Sequence, residues 1–190
     1  MGMLFHISEE SDIARFEPRA SEYATGLAVW AIEERRLCNY LVPRDCPRVT
    51  CYAGADAAAA DVERLLGSSP AVVAIESGWL ERVRSARPYC YHMPPETFEC
   101  LDAGAGYFVS RAAVVPSRID VVDDPIAALM RRGVELRVVP DLWSLRDAVV
   151  ASSLQFSLIR MRNALPRAAA QPAAPPAGGR GTTPRGARCR

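Results

Sequence analysis

The sequence predicts an α+β domain, and three observations carry that expectation. Up to Arg167 the chain alternates between short β-like runs and helical segments. The connections between them are irregular, with few clean strand–helix–strand units. No G-x-G-x-x-G follows any strand, and the local "DAGAGYF" precedes a strand instead of opening a helix, which sets aside a dinucleotide-binding doubly wound sheet. With 190 residues, 49% of them hydrophobic, the chain can bury a core as a single domain.

Taken in order, the strands are expected at "MLFHI", "LAVWAI", "RVTCYA", "AVVAIE", "YCYHM", "GYFVS", "AVVPSRIDVV" and "VELRVV". On the first of these, strict alternation puts Met3, Phe5 and Ile7 toward the core and Leu4, His6 and Ser8 on the opposite face. "AAAADVERLLG" reads as a helix closed by Gly67, and "GWLERVRS" as a shorter one. "DDPIAALMRRG" reads as a third, with Pro125 in its first turn and Gly133 beyond its end. The longest helix is expected to start near Asp141 and run through "LWSLRDAVVASSLQFSLIRMRNA" to Pro166. Leu145, Val149, Ser152, Phe156, Ile159 and Asn163 recur along it at helical spacing. In that reading Arg160, Arg162 and Asn163 are macrodipole and capping groups. The domain is thus expected over residues 1–167. It is followed by a disordered tail, 168–190, rich in alanine, proline and glycine and carrying four arginines.

Charge excludes several functions. All 23 basic residues are arginine, so neither a Schiff-base lysine nor a Walker-type phosphate lysine exists. Net charge is +1, which gives no global field toward nucleic acid or anionic membranes. Acidic residues follow Ser8 where a signal peptide would be basic and then apolar, and no apolar run nears the ~20 residues of a membrane helix. A cytoplasmic protein is expected. Six cysteines, Cys38, Cys46, Cys51, Cys90, Cys100 and Cys189, include no C-x-x-C pair and are expected to be reduced thiols. Cys46, Cys51, Cys90 and His92 match no common zinc spacing, and no metal is expected. His92, on its strand, is expected to be structural. Nucleophile-elbow, zinc-protease and deaminase signatures are absent.

Two stretches carry candidate chemistry. His6 and Ser8 share one strand face, where a ring nitrogen and a hydroxyl can hold one ligand edge; the alternative is a structural histidine bonded to a backbone carbonyl. In "NYLVPRDCPR" Pro43 and Pro47 stiffen a loop bearing Arg44, Asp45 and Arg48. Its two arginines can clamp a diphosphate, or Asp45 can pair with an arginine and lock the loop.

The blocks "VWAIEE", "NYLVPRDCPRV", "PPETFE", "GYFVS", "VVP" and "LRDAVVASSLQFSLIRMRNA" resemble an uncharacterised bacterial family, a domain of unknown function, over residues 3–167. The opening "LFHIS…DIARFEPR…VWAI" is also similar to ADP-ribosyltransferase-like domains, with an aromatic–His–x–Ser strand, a helix, a second strand and an aromatic-bearing segment. That resemblance implies a split mixed or antiparallel sheet and NAD, or a related nucleotide, as ligand. It implies His6 and Ser8 on a ribose and Trp30 on the nicotinamide ring, while Arg44, Arg48 and Tyr107 complete the expected ligand-binding set. Such transferases place a glutamate before a late strand. The corresponding stretch here is "AGAGYFVSRAAVVP", with Gly106, Tyr107 and Ser110. Glu76, Glu96 or Glu99 could supply a catalytic carboxylate from elsewhere; their other reading is as strand-end or first-turn surface acids. Three classes remain: a nucleotide- or NAD-related enzyme, a non-catalytic ligand-binding domain on the same scaffold, and a protein-interaction domain with a vestigial pocket.

Overall fold

In the computed structural model, which describes residues 2–21 and 24–167, two β-sheets stack, with two of the four helices on the outer side of the smaller one and the other two joining the layer between the sheets. The expected tail, with Cys189, lies outside the described residues. The strands are β1 (Leu4–Ser8), β2 (Arg19–Ser21), β3 (Ala24–Glu33), β4 (Arg48–Tyr52), β5 (Ala71–Glu76) and β6 (Tyr89–Met93). They continue as β7 (Phe98–Asp102), β8 (Tyr107–Ser110), β9 (Arg118–Val121), β10 (Val134–Val139) and β11 (Gln155–Ile159). The helices are α1 (Ala59–Leu65), α2 (Leu80–Ser85), α3 (Pro125–Met130) and α4 (Trp143–Val150).

The larger sheet is antiparallel, in the order β7-β8-β3-β1-β6-β9, with β2 added on β3. The smaller, β10-β5-β4-β11, is mixed: β5 and β10 run parallel and the other pairs antiparallel. An α+β class follows from this arrangement.

Side-chain alternation sorts the strands into three apolar layers. Phe5, Ile7, Ile32 and Cys90 of the large sheet meet Tyr52, Val73 and Ile75 of the small one, joined by Val83 of α2 and Leu129 of α3. The other parity of β4 and β5, Val49, Cys51, Val72 and Ala74, packs beneath Leu65 and Val149 on α1 and α4. The outer face of the large sheet is also covered. Leu4, Val29, Ala31, Tyr91 and Met93 pack there against Phe16 and Val114, whose backbones pair with each other across an isolated bridge. The face of β1 that carries His6 is therefore a second core face.

The long C-terminal helix is the clearest correction. Helix α4 ends at Val150, and residues 155–159, expected to be helical, form a strand against β4, with Phe156 opposite Cys51 and Leu158 opposite Val49. The reason is partly local and partly tertiary. Ser152 Oγ donates to the Val149 carbonyl (2.7 Å) and accepts from the Leu154 amide (3.2 Å), offering the backbone a turn in place of the next helical bond. Asp61 on α1 then takes the Ser153 amide and hydroxyl, both at 2.8 Å, and anchors the reversal. The helical stripe through Phe156 was a coincidence of spacing, and Phe156 is 40% exposed. Two further strands were not anticipated: β2, and β7, whose "FECLD" follows the 3-10 turn of Pro95–Thr97.

Candidate functional site

The site arises where the large sheet opens. Strands β1 and β3 pair at Leu4↔Glu33 and Phe5↔Ile32 and then part. Beyond that point the Trp30 carbonyl is taken by His6 Nδ1 at 2.9 Å, so the imidazole stands where a ladder bond would otherwise lie. A neutral ring bonded this way carries its proton on Nδ1 and keeps Nε2 as an acceptor. The other side of the ring rests on Phe16, with centroids 4.7 Å apart.

From this opening a cleft of about 690 Å³ runs between the sheets. His6, Ser8, Trp30, Arg44, Arg48 and Tyr107 all line it, although they come from four strands and a loop. Trp30 and Tyr107 meet edge to face at 5.8 Å, and the Tyr107 hydroxyl accepts from Tyr40 at 3.1 Å. Burial raises the Tyr40 phenol well above its ordinary value, with the neighbouring Tyr107 adding to the rise, so it stays a neutral donor. Ser8 Oγ accepts from the Glu10 amide (3.1 Å), which turns the chain away at the end of β1.

Arg48 is the unusual group. It is 2% exposed, and its Nε and Nη1 donate to the carbonyls of Asn39 (2.6 Å), Pro43 (3.3 Å) and Cys46 (2.8 Å). The proline-rich loop is thus wound around this side chain. The expected alternative, a lock made by Asp45, is loose: its partner is Arg160 at 3.9 Å. No carboxylate pairs with Arg48 among the described residues. Burial lowers its pKa to about 10, so it remains a cation at neutral pH. Buried charges are ordinarily paired; this one is met by backbone carbonyls instead.

The carboxylates proposed from sequence lie elsewhere. Glu76 has its side chain on the α4 side of the small sheet, opposite to Arg48, where both carboxylate oxygens accept from the Leu165 amide at 3.1 Å. Glu99 faces Arg111 at 3.4 Å and is exposed, as is Glu96 in its turn. None of the three lines the cleft, whose acidic lining residue is Glu9, bonded to the Arg44 amide at 3.0 Å. Gly106, in the stretch expected to carry the acid, sits tightly against neighbouring side chains. Gly106 has φ +70°, and a Cβ there would lie 2.6 Å from Glu33 Cγ and Oε1. His92 is held by Asp120 through Nε2 at 2.8 Å, away from the cleft lining. Cys38, Cys46, Cys51 and Cys90 are buried free thiols, and burial pushes Cys46 up to about 12.

Sequence reasoning missed Tyr40, Arg160 and Arg162, which also line the cleft. The two arginines had been placed on a helix that does not exist. Arg160, immediately after β11, has φ 54° and ψ 29°, the one non-glycine residue at positive φ among those described. That conformation costs about 1–2 kcal/mol for a residue with a Cβ.

These features define an α+β domain of two stacked sheets with an arginine-rich, aromatic-lined cleft between them. The chain belongs to the family of unknown function DUF6886, whose sequence model matches residues 5–164. No curated protein matches the chain, and no solved structure does. The expected ADP-ribosyltransferase type of sheet is therefore without support from known folds. No helix among the described residues is long and apolar enough to cross a membrane.

The buried imidazole has a consequence for stability. Burial lowers the His6 pKa below 6.5; the bond to Trp30 works against this, and the charges of Arg44 and Arg19 add to it. A depressed histidine contributes stability that is complete above the unfolded value of about 6.5 and is lost as pH falls toward the folded one. Thermal denaturation between pH 7.5 and 5 should therefore show wild type losing stability on acidification more steeply than His6→Asn. Parallel curves for the two would refute the assignment.

Proposed function

We propose that the cleft binds a nucleotide-type small molecule, with NAD or its ADP-ribose portion as the specific candidate. The observation that carries the reading is the buried, carboxylate-free guanidinium of Arg48 beside the rings of Trp30 and Tyr107 in one cleft. A flat ring can stack on the indole and a phosphate can neutralise the arginines. Hydroxyls of a ribose suit His6 and Ser8. Binding without group transfer is the form favoured here, since the acidic lining residue among those described is Glu9, which is engaged by the Arg44 amide.

The test is a titration of purified protein with NAD and with ADP-ribose, following tryptophan fluorescence and thermal stability. Wild type should show a quench and a rise in melting temperature. Trp30→Phe should lose the quench, and His6→Ala should bind roughly tenfold more weakly, the equivalent of ~1.4 kcal/mol. Folded wild type that responds to neither ligand removes the nucleotide reading.

A further inference from the structure

Arg48 and Arg160 both line the cleft, and neither has a carboxylate nearer than 3.9 Å among the described residues. Arg48 and Ile159 are paired across β4 and β11, so Arg160, the next residue, stands beside Arg48 at the same end of the small sheet. Both side chains line the cleft. Arg48 spends Nε and Nη1 on backbone carbonyls, and its Nη2 makes no hydrogen bond among the described residues. Among the described residues Arg160 has only the distant Asp45 carboxylate, at 3.9 Å and 64% exposed on its own side. Like charges held together repel unless an anion sits between them. The backbone at Arg160 adds an independent sign. A glycine would occupy its left-handed conformation without strain, yet an arginine stands there. Residues held in the left-handed region against their own preference cluster at active sites and ligand clamps.

We propose that Arg48 and Arg160 together form a seat for a phosphoryl group, with the left-handed turn after β11 bringing the second guanidinium to the first. The chemistry is that of a tetrahedral dianion: three or more acceptor oxygens receive the free Nη2 of Arg48 and the planar fork of Arg160. The proposal deepens the cleft-binding reading given above by naming the ligand group, and it rests on the cleft being a ligand site. The exposed Arg44 and Arg162 lie along the same lining and suit a second phosphate, so a diphosphate should bind more tightly than a single phosphate.

Calorimetric titrations with inorganic phosphate, inorganic pyrophosphate and ADP-ribose, on wild type, Arg160→Gly and Arg160→Gln, test this. Arg160→Gly removes the guanidinium and relaxes the backbone, so its melting temperature should be held or raised while its phosphate and pyrophosphate affinities fall about tenfold. Arg160→Gln should lose the same affinity with no gain in stability, which separates the charge from the strain. Pyrophosphate should bind wild type more tightly than phosphate. Failure of wild type to bind either inorganic anion overturns the seat, as does an affinity unchanged in both variants. The two readings fail separately. ADP-ribose binding that ignores Arg160 keeps the nucleotide cleft and discards the seat. Arg160-dependent pyrophosphate binding with no response to ADP-ribose or NAD keeps the seat and discards the nucleotide.

Discussion

Arg48→Met should lower the stability of the domain by about 3 kcal/mol, which for a chain of this length is a drop of roughly 6–12 °C in melting temperature. Methionine preserves most of the buried volume, so packing changes little. What disappears is the donor to three backbone carbonyls, those of the buried residues Asn39, Pro43 and Cys46. Each acceptor left unmet costs about 1–3 kcal/mol, offset in part because a charge no longer has to be held out of water. The same variant should lose any stabilisation by phosphate, since the anion seat loses half of its cations. Thermal and urea denaturation with and without phosphate checks both effects. A variant as stable as wild type would mean that the loop is held by Pro43 and Pro47 and that Arg48 is there for the ligand alone.

The second large effect is expected on the far side of the large sheet. Tyr91 is fully buried on β6, donates its hydroxyl to the Glu10 carbonyl (2.6 Å) and accepts from the Ile13 amide (3.2 Å). Its ring stands edge to face against Phe16 at 5.1 Å, and Phe16 in turn supports His6. Tyr91→Ala should therefore cost about 3–5 kcal/mol through the cavity it opens. Tyr91→Phe should cost only ~1–2 kcal/mol, for the two hydrogen bonds. Hydrogen exchange locates the damage: faster exchange at Ile13 in both variants, and additionally along the outer face of β1 and β3 in the alanine variant. Equal losses for the two substitutions would show that the hydroxyl, and not the ring, pins residues 10–16.

How far the fold was legible depended on what each segment needed from its neighbours. Runs such as "AVVAIE" and "RVTCYA" announce buried strands because every residue of β5 and β4 is buried, as central strands between two apolar layers require. The short helices were marked by their own punctuation, with Asp124 capping α3 through its bond to the Ala127 amide at 2.9 Å. Residues 155–159 carried no such mark. Their apolar spacing fits a helix as well as a strand, and the choice was made by an edge of β4 waiting for a partner and by Asp61 holding Ser153. Strand β2 had too few residues to show a period at all.

The candidate site divides along the same line. Residue chemistry and family resemblance alone named His6, Ser8, Trp30, Arg44, Arg48 and Tyr107: imidazole and indole are rare in this chain, and each of the two arginines directly follows a proline. Which of them share a cleft, and that Glu76 points to the opposite face of its sheet, depends on strand register, which local sequence does not encode. The sequence by itself determined the α+β class, the membership of the family, the absence of lysine chemistry and the stiff arginine loop, all properties of composition or of a few adjacent residues. Tertiary structure alone decided that β1 and β3 part beside His6, that Arg48 is buried with no carboxylate partner among the described residues, and that Arg160 stands next to it. Each of those rests on contacts between segments far apart in the chain, where the free energy belongs to the pair and neither segment carries it alone.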